Sequence, residues 1–382
     1  MTLFNRWIHS YAVPTEGLAL FRILFAGHTL LLGFPTFGWV SSLPPAFFSP
    51  PEFSLGAFFA SMPSAFFLNA LFVAEAVLVV ALLFGYRTRL VSLLLAAVIS
   101  VGLTFVYSQG KIQHGTTFFI LTVLVMAFSR WGDAFSLDAV RRRDGGLQEP
   151  PSVAWANAWP VALMALAIAF GYFSAGFPKS LVWLDFDLNT HGARDWLSGR
   201  VQRGDQGVFG LWLFHNHTNA LAWELTDLTA VAFEIGFLFA VLHFRLFRTF
   251  LVLAVVFHTA NTFILGIDFT RLGFIYALFM PWERLLAGRW GERLRSAGAV
   301  FASPRLFLSV MVLVAVLALA VLPFEVRWFG LLNLPLSLIL GEALRAVTTT
   351  ITVVFGLLVG AAILRSLLVD LSVALRTRRE AA

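Results

Sequence analysis

The chain has 382 residues, 59% of them hydrophobic and only 13% charged, with a formal net charge of +6 and no cysteine. A soluble domain carries about 25% charged residues, and a core built from this length cannot hide so much apolar surface from water. The composition therefore excludes an ordinary soluble globule, and the lack of cysteine excludes disulfides, thiolate metal sites and a cysteine nucleophile.

Residues 1–14 hold Trp7, His9 and Tyr11 but no short apolar run before a small-residue cleavage site, so no removable signal peptide is expected. A spanning helix needs roughly 20 mainly apolar residues. Such runs lie at Gly17–Phe34, Ala65–Gly85, Leu90–Val106 and Thr116–Phe128, then at Pro160–Phe177, Ala220–His243, Thr249–Ile267 and Phe269–Trp282. Leu306–Pro323 and Thr350–Val369 complete the set. The expected fold class is all-α, a polytopic transmembrane helical bundle of about ten spans. The fourth and eighth runs are short, so they are expected to extend into their flanks or to be partly re-entrant.

Arginine placement tests the order of spans. With a cytoplasmic N-terminus, the inside loops hold Arg87, Arg89, Arg130, Arg141–Arg143, Arg245, Arg248 and the group from Arg284 to Arg305, with Arg376, Arg378 and Arg379 in the tail. The outside segments hold fewer basic residues, Lys111, Lys179 and Arg200 among them. Basic residues on alternate loops imply an N-in, C-in topology, and the net charge reads as this signal rather than as a nucleic-acid surface. Residues 1–285 form the expected core, and 286–382 add two helices and a basic cytoplasmic tail. Pro178–Asn219 is the longest outside stretch, and loops of this length without evident structure are often functional.

Ionisable residues within spans are costly, so each is a functional candidate. Arg22 lies in the first span and Glu75 in the second. Glu224, Asp227 and Glu234 lie in the sixth, with His258 and Asn261 in the seventh. The structural reading pairs Arg22 with an acid from another helix and counts Glu75, Glu224, Asp227 and Glu234 as ion-pair partners, because a buried arginine needs one. Lys111 and His114 sit together at the outer start of the fourth span, as a snorkelling lysine and a headgroup-level histidine or as part of a site. Lys179 follows Gly171-Tyr172-Phe173-Ser174-Ala175-Gly176-Phe177-Pro178. It is either an interfacial anchor or a general base, since a desolvated pocket favours the neutral amine that a base requires. His215-Asn216-His217 lacks a third ligand at a diagnostic spacing, and no metal is expected.

Three segments together resemble a known family. Lys111-Ile112-Gln113-His114-Gly115, with Phe135-Ser136-Leu137-Asp138-Ala139 beyond the next helix, is similar to the fourth-helix region of vitamin K-dependent gamma-carboxylases. Tyr172–Lys179, with Trp183 and Asp185, resembles the segment that carries those enzymes' catalytic lysine. Phe257-His258-Thr259-Ala260-Asn261 resembles a third segment with a histidine and an asparagine. The arrangement also fits the wider group of bacterial HTTM-domain proteins, and the likeness runs from about Leu18 to Trp282.

The resemblance implies a quinol chemistry. Lys179 matches the lysine base that deprotonates vitamin K hydroquinone, His114 the active-site histidine and His258 a further catalytic pocket residue. Lys111, Tyr172, Trp183 and Asn261 would line the substrate. The implied cofactor is menaquinol or vitamin K hydroquinone, and the implied partners are membrane lipids, a lipidic quinol and a membrane protein, with no nucleic acid. Two departures stand out. No counterpart of the lumenal peptide-binding domain follows the membrane part, and Pro178 stands where the carboxylases have another lysine. Peptide glutamate carboxylation is therefore not expected. The expectation is a carboxylase-like, quinol-dependent lyase or oxygenase of the bacterial cytoplasmic membrane, with both termini cytoplasmic. The alternative is a non-enzymatic lipid-binding or partner-binding membrane protein, with a transporter ranked behind it for want of an inverted repeat.

Overall fold

The computed structural model describes residues 2–52, 54–109, 114–146, 155–185, 187–267, 272–324, 328–332 and 343–380. It is an all-α polytopic bundle. Among the described residues seven helices are long and apolar enough to cross a membrane. Six of them are α2 (Thr15–Leu32), α3 (Ala65–Leu83), α4 (Thr88–Tyr107), α7 (Trp155–Ser180), α11 (Phe244–Leu265) and α15 (Pro304–Val321), and the seventh is the Ala346–Thr377 stretch of α16 (Ala343–Glu380). Two shorter or more polar helices, α5 (His114–Met126) and α10 (Ala220–Ala240), coincide with two further runs expected to span.

The run at 269–282 takes a different form. Its described part is α12 (Leu272–Tyr276) and a 3-10 turn at Ala277–Phe279, after which come the short α13 (Trp282–Ala287) and α14 (Gly291–Ala299). Five helical residues rise about 7.5 Å against a hydrocarbon thickness of about 30 Å, so α12 does not cross by itself. Its apolar character has another cause, because residues 272–279 are all buried in protein.

Around a buried apolar core, burial departs from that of a water-soluble fold in two ways. Phe66 is 85% exposed and Phe170 63%, whereas Arg22, Glu75 and Asp227 are each 0% exposed. Large apolar side chains such as these two face outward and these three charged ones face inward, as lipid demands. On α7 the exposed stripe is Leu163, Leu166, Phe170 and Phe177, while Met164, Ala165, Ile168, Ala169 and Tyr172 are buried.

The chain divides into two units. One comprises Ala12–Val161 and Trp282–Thr348. Within it α3 packs against α2, α4 and α15. Ser64 starts α3 by accepting a hydrogen bond from the Phe67 amide, and 19 residues then rise about 28 Å. A two-residue antiparallel pairing joins β1 (Phe34–Pro35) to β2 (Trp328–Phe329).

A polar clasp closes the turn between α3 and α4. Asp138, in α6 (Leu137–Asp144), accepts from the Arg87 amide at 2.8 Å and the Thr88 amide at 2.7 Å, capping α4. Arg22 donates to the carbonyls of Trp131 at 2.6 Å, Phe135 at 2.6 Å and Ala134 at 3.4 Å. The acid partner expected for Arg22 is thus replaced by backbone oxygens, because the guanidinium fork reaches several carbonyls that the 131–135 turn leaves unpaired. Glu75 is not that partner either, since among the described residues neither of its carboxyl oxygens has a hydrogen-bond partner. Gly85 makes the clasp possible. Its φ is +61°, and a Cβ there would lie 2.4 Å from Ser136 Cβ and 2.8 Å from Arg22 Nη1.

The other unit comprises Met1–Tyr11, Ala162–Pro281 and Thr349–Ala382. Its α1 (Leu3–Ser10) is tied down at one carbonyl: Trp7 Nε1 and Tyr11 Oη donate to Val241 O at 2.8 and 2.6 Å. Tyr11 also packs edge-on against Phe244 and Phe247. The helices α10 and α11 form a hairpin, and α8 (Gly192–Arg203) and α9 (Gly210–Asn216) pack beside it. Asn219 caps α10 by accepting from the Ala222 amide.

Candidate functional site

On α7, Tyr172, Gly176 and Lys179 recur at i, i+4 and i+7, so one helix face carries all three. That face meets α10. A Cβ on Gly176 would lie 2.7 Å from Glu234 Cβ, so glycine is what lets the two backbones approach. Less than one turn further, Lys179 Nζ donates to both oxygens of Glu234, at 2.6 and 2.8 Å. The Glu234 side chain is 4% exposed and that of Lys179 26%. Trp183, half-buried, adds its ring face 5.2 Å from the ammonium.

Two turns back on the same face, Tyr172 starts a second polar station. Its hydroxyl lies 2.6 Å from His258 Nε2 and 2.7 Å from Tyr276 Oη, and His258 Nε2 is 3.1 Å from Tyr276 Oη. The Tyr172 ring stacks on Phe237 with centroids 4.0 Å apart. Phe237 and Glu234 are i, i+3 neighbours on α10, so the α10 face that pairs with Lys179 also supports Tyr172. The two stations are separated by seven residues of α7, about 10 Å along its axis. Asn261 lies half-buried on the next turn of α11 from His258.

The structure thus brings Lys179, Trp183, Tyr172 and His258 into one unit with Glu234. Glu234 pairs with Lys179, the lysine that the resemblance makes a base. Tyr276 completes this station although the sequence gives no sign of it. It sits in a short buried helix, and nothing in its spacing links it to Tyr172 or His258. Lys111 lies outside the described residues. Of His114 only the backbone is described, as the first residue of α5.

The other acids of α10 lie elsewhere on the helix. Asp227 accepts from the Gly192 and Ala193 amides, both at 2.8 Å, at the start of α8. His191 Nδ1 is 3.8 Å from Glu224 Oε2. Between α7 and α8, Asp185 accepts from the Thr190 hydroxyl at 2.6 Å and the Asp187 amide at 3.0 Å. These bonds, the Thr190 hydroxyl first, hold its carboxyl below the usual carboxylate range.

Residues 12–281 match the family model of the HTTM domain. No curated protein and no solved structure matches the chain.

Proposed function

The chain belongs to the HTTM-domain family, gamma-carboxylase-related membrane proteins, and on that premise we propose that it binds a lipidic quinol such as menaquinol or vitamin K hydroquinone and deprotonates it at Lys179. The observation that carries this reading is the Lys179–Glu234 pair, with an aromatic and histidine station two turns away on the same helix.

A lysine already paired with a carboxylate acts as a relay. As the quinol hydroxyl gives its proton to Nζ, Nζ passes one of its own across the 2.6 Å contact to Glu234. The products are a quinolate beside an ammonium and a neutral Glu234 carboxyl, so protons balance and no isolated charge is created in lipid. Tyr172, His258 and Tyr276 supply donors and acceptors for the quinol's second oxygen. On this reading the protein sits in a bacterial cytoplasmic membrane with both termini cytoplasmic, and the quinol enters from the opposite leaflet.

The pair also favours a second reading. An ion pair that ties α7 to α10 is sufficient for a non-enzymatic protein holding a lipid or a membrane partner. Mass spectrometry of lipids and quinones that co-purify, before and after exposure to oxygen, separates the two. A quinol converted by the wild type but left unchanged by Lys179→Ala supports the enzyme. A stoichiometric lipid without chemical change supports the second reading.

A further inference from the structure

A separate cluster lies where α8 begins beside α10. The ligand atoms of His191, Glu224 and Asp227 all lie within 4.8 Å of one another. Each residue is buried, at 5%, 8% and 0% exposure. Two carboxylates and one imidazole taken from water need more than a single proton shared among them, because one imidazolium balances one carboxylate at most.

The hydrogen bonding leaves the cluster open toward its centre. Among the described residues, His191 Nδ1 and both oxygens of Glu224 have no hydrogen-bond partner. The 3.8 Å between His191 Nδ1 and Glu224 Oε2 is too long for a hydrogen bond. It is close to the ~3.4 Å that separates two donors each ~2.1 Å from a tetrahedral ion. Asp227 is oriented by the Gly192 and Ala193 amides, each of which engages one oxygen and leaves lone pairs free. Backbone bonds of this kind commonly hold a ligating carboxylate in place.

We propose that His191, Glu224 and Asp227 bind a divalent cation of the zinc class, which clips the start of α8 to α10. One nitrogen and two carboxylate donors suit Zn²⁺, and imidazole makes a magnesium or calcium site a poor fit. The ion neutralises the two buried carboxylates and gives His191 Nδ1 and Glu224 their missing partner. His215 and His217 have no part in the site. This site is independent of the quinol chemistry at Lys179.

The test is titration of the full chain in nanodiscs with Co²⁺, read by its visible absorption, followed by displacement with Zn²⁺. One equivalent should bind, Zn²⁺ should displace it, and excess Mg²⁺ should not. His191→Ala and Glu224→Gln should each weaken binding at least tenfold, while the His215→Ala, His217→Ala double variant should bind as the wild type does. A chelator should lower the melting temperature of the wild type and of the His215→Ala, His217→Ala variant, and leave those of His191→Ala and Glu224→Gln unchanged. Absence of stoichiometric binding by the wild type overturns the proposal whatever the folding of the variants, and so does binding that both cluster variants retain.

Discussion

Lys179 Nζ sits 2.6 and 2.8 Å from the two carboxylate oxygens of Glu234, across a contact between α7 and α10 that Gly176 keeps close. Removing one partner leaves the other charge inside the bundle. Because Lys179 remains 26% exposed, Lys179→Met should cost about 2–3 kcal/mol, the low side of what a broken buried pair costs. The double variant Lys179→Met, Glu234→Gln should recover most of that loss. Tryptophan-fluorescence melting of the purified proteins gives the comparison, and equal destabilisation of single and double variants would deny the pairing.

Tyr172→Phe removes the hydroxyl bonded to both His258 and Tyr276 while keeping the ring on Phe237. The loss should be about 1–2 kcal/mol, since two buried polar partners lose a bond but no cavity forms. Quinol affinity should fall with it if this station holds the quinol's second oxygen. Binding measured by quenching of tryptophan fluorescence checks the second effect separately from the first.

Gly85→Ala should destabilise the Arg22 clasp by about 1–3 kcal/mol, because alanine is strained at positive φ and its methyl meets Ser136 and the guanidinium. Arg22→Lys should not preserve the clasp, as a single ammonium cannot span the carbonyls of Trp131 and Phe135. Melting temperatures of the two variants, both below wild type, are the expected result.

Asp185 offers a pH readout outside the spans. Its carboxyl is held low by Thr190, so its stabilising effect is present above the ordinary carboxylate value and is lost as pH falls through the depressed one. Thr190→Val should move the Asp185 titration back up toward the ordinary range. Carbon NMR of selectively labelled aspartate measures the shift directly.

The bundle was largely legible because long apolar runs mark membrane-crossing helices on their own. Ser64 before α3 and Asn219 before α10 even mark where helices begin. Partners were harder to read. Arg22 finds carbonyls of a turn, and backbone acceptors leave no trace in residue type. Lys179 and Glu234 are 55 positions apart, and the local hint was Gly176, a small residue on the same α7 face. Tyr276 and the burial of 272–279 were hidden for a related reason: an apolar stretch buried in protein and one crossing lipid have the same composition.

The most direct measurement is the rate at which menaquinol is consumed in air-equilibrated proteoliposomes containing wild type, Lys179→Ala or Glu234→Gln, each matched for folded protein and bound quinol. The wild type should consume menaquinol, Lys179→Ala none above background, and Glu234→Gln should lose about a hundredfold or more, since each removes one arm of the proton relay. Consumption by Lys179→Ala at the wild-type rate would contradict the relay.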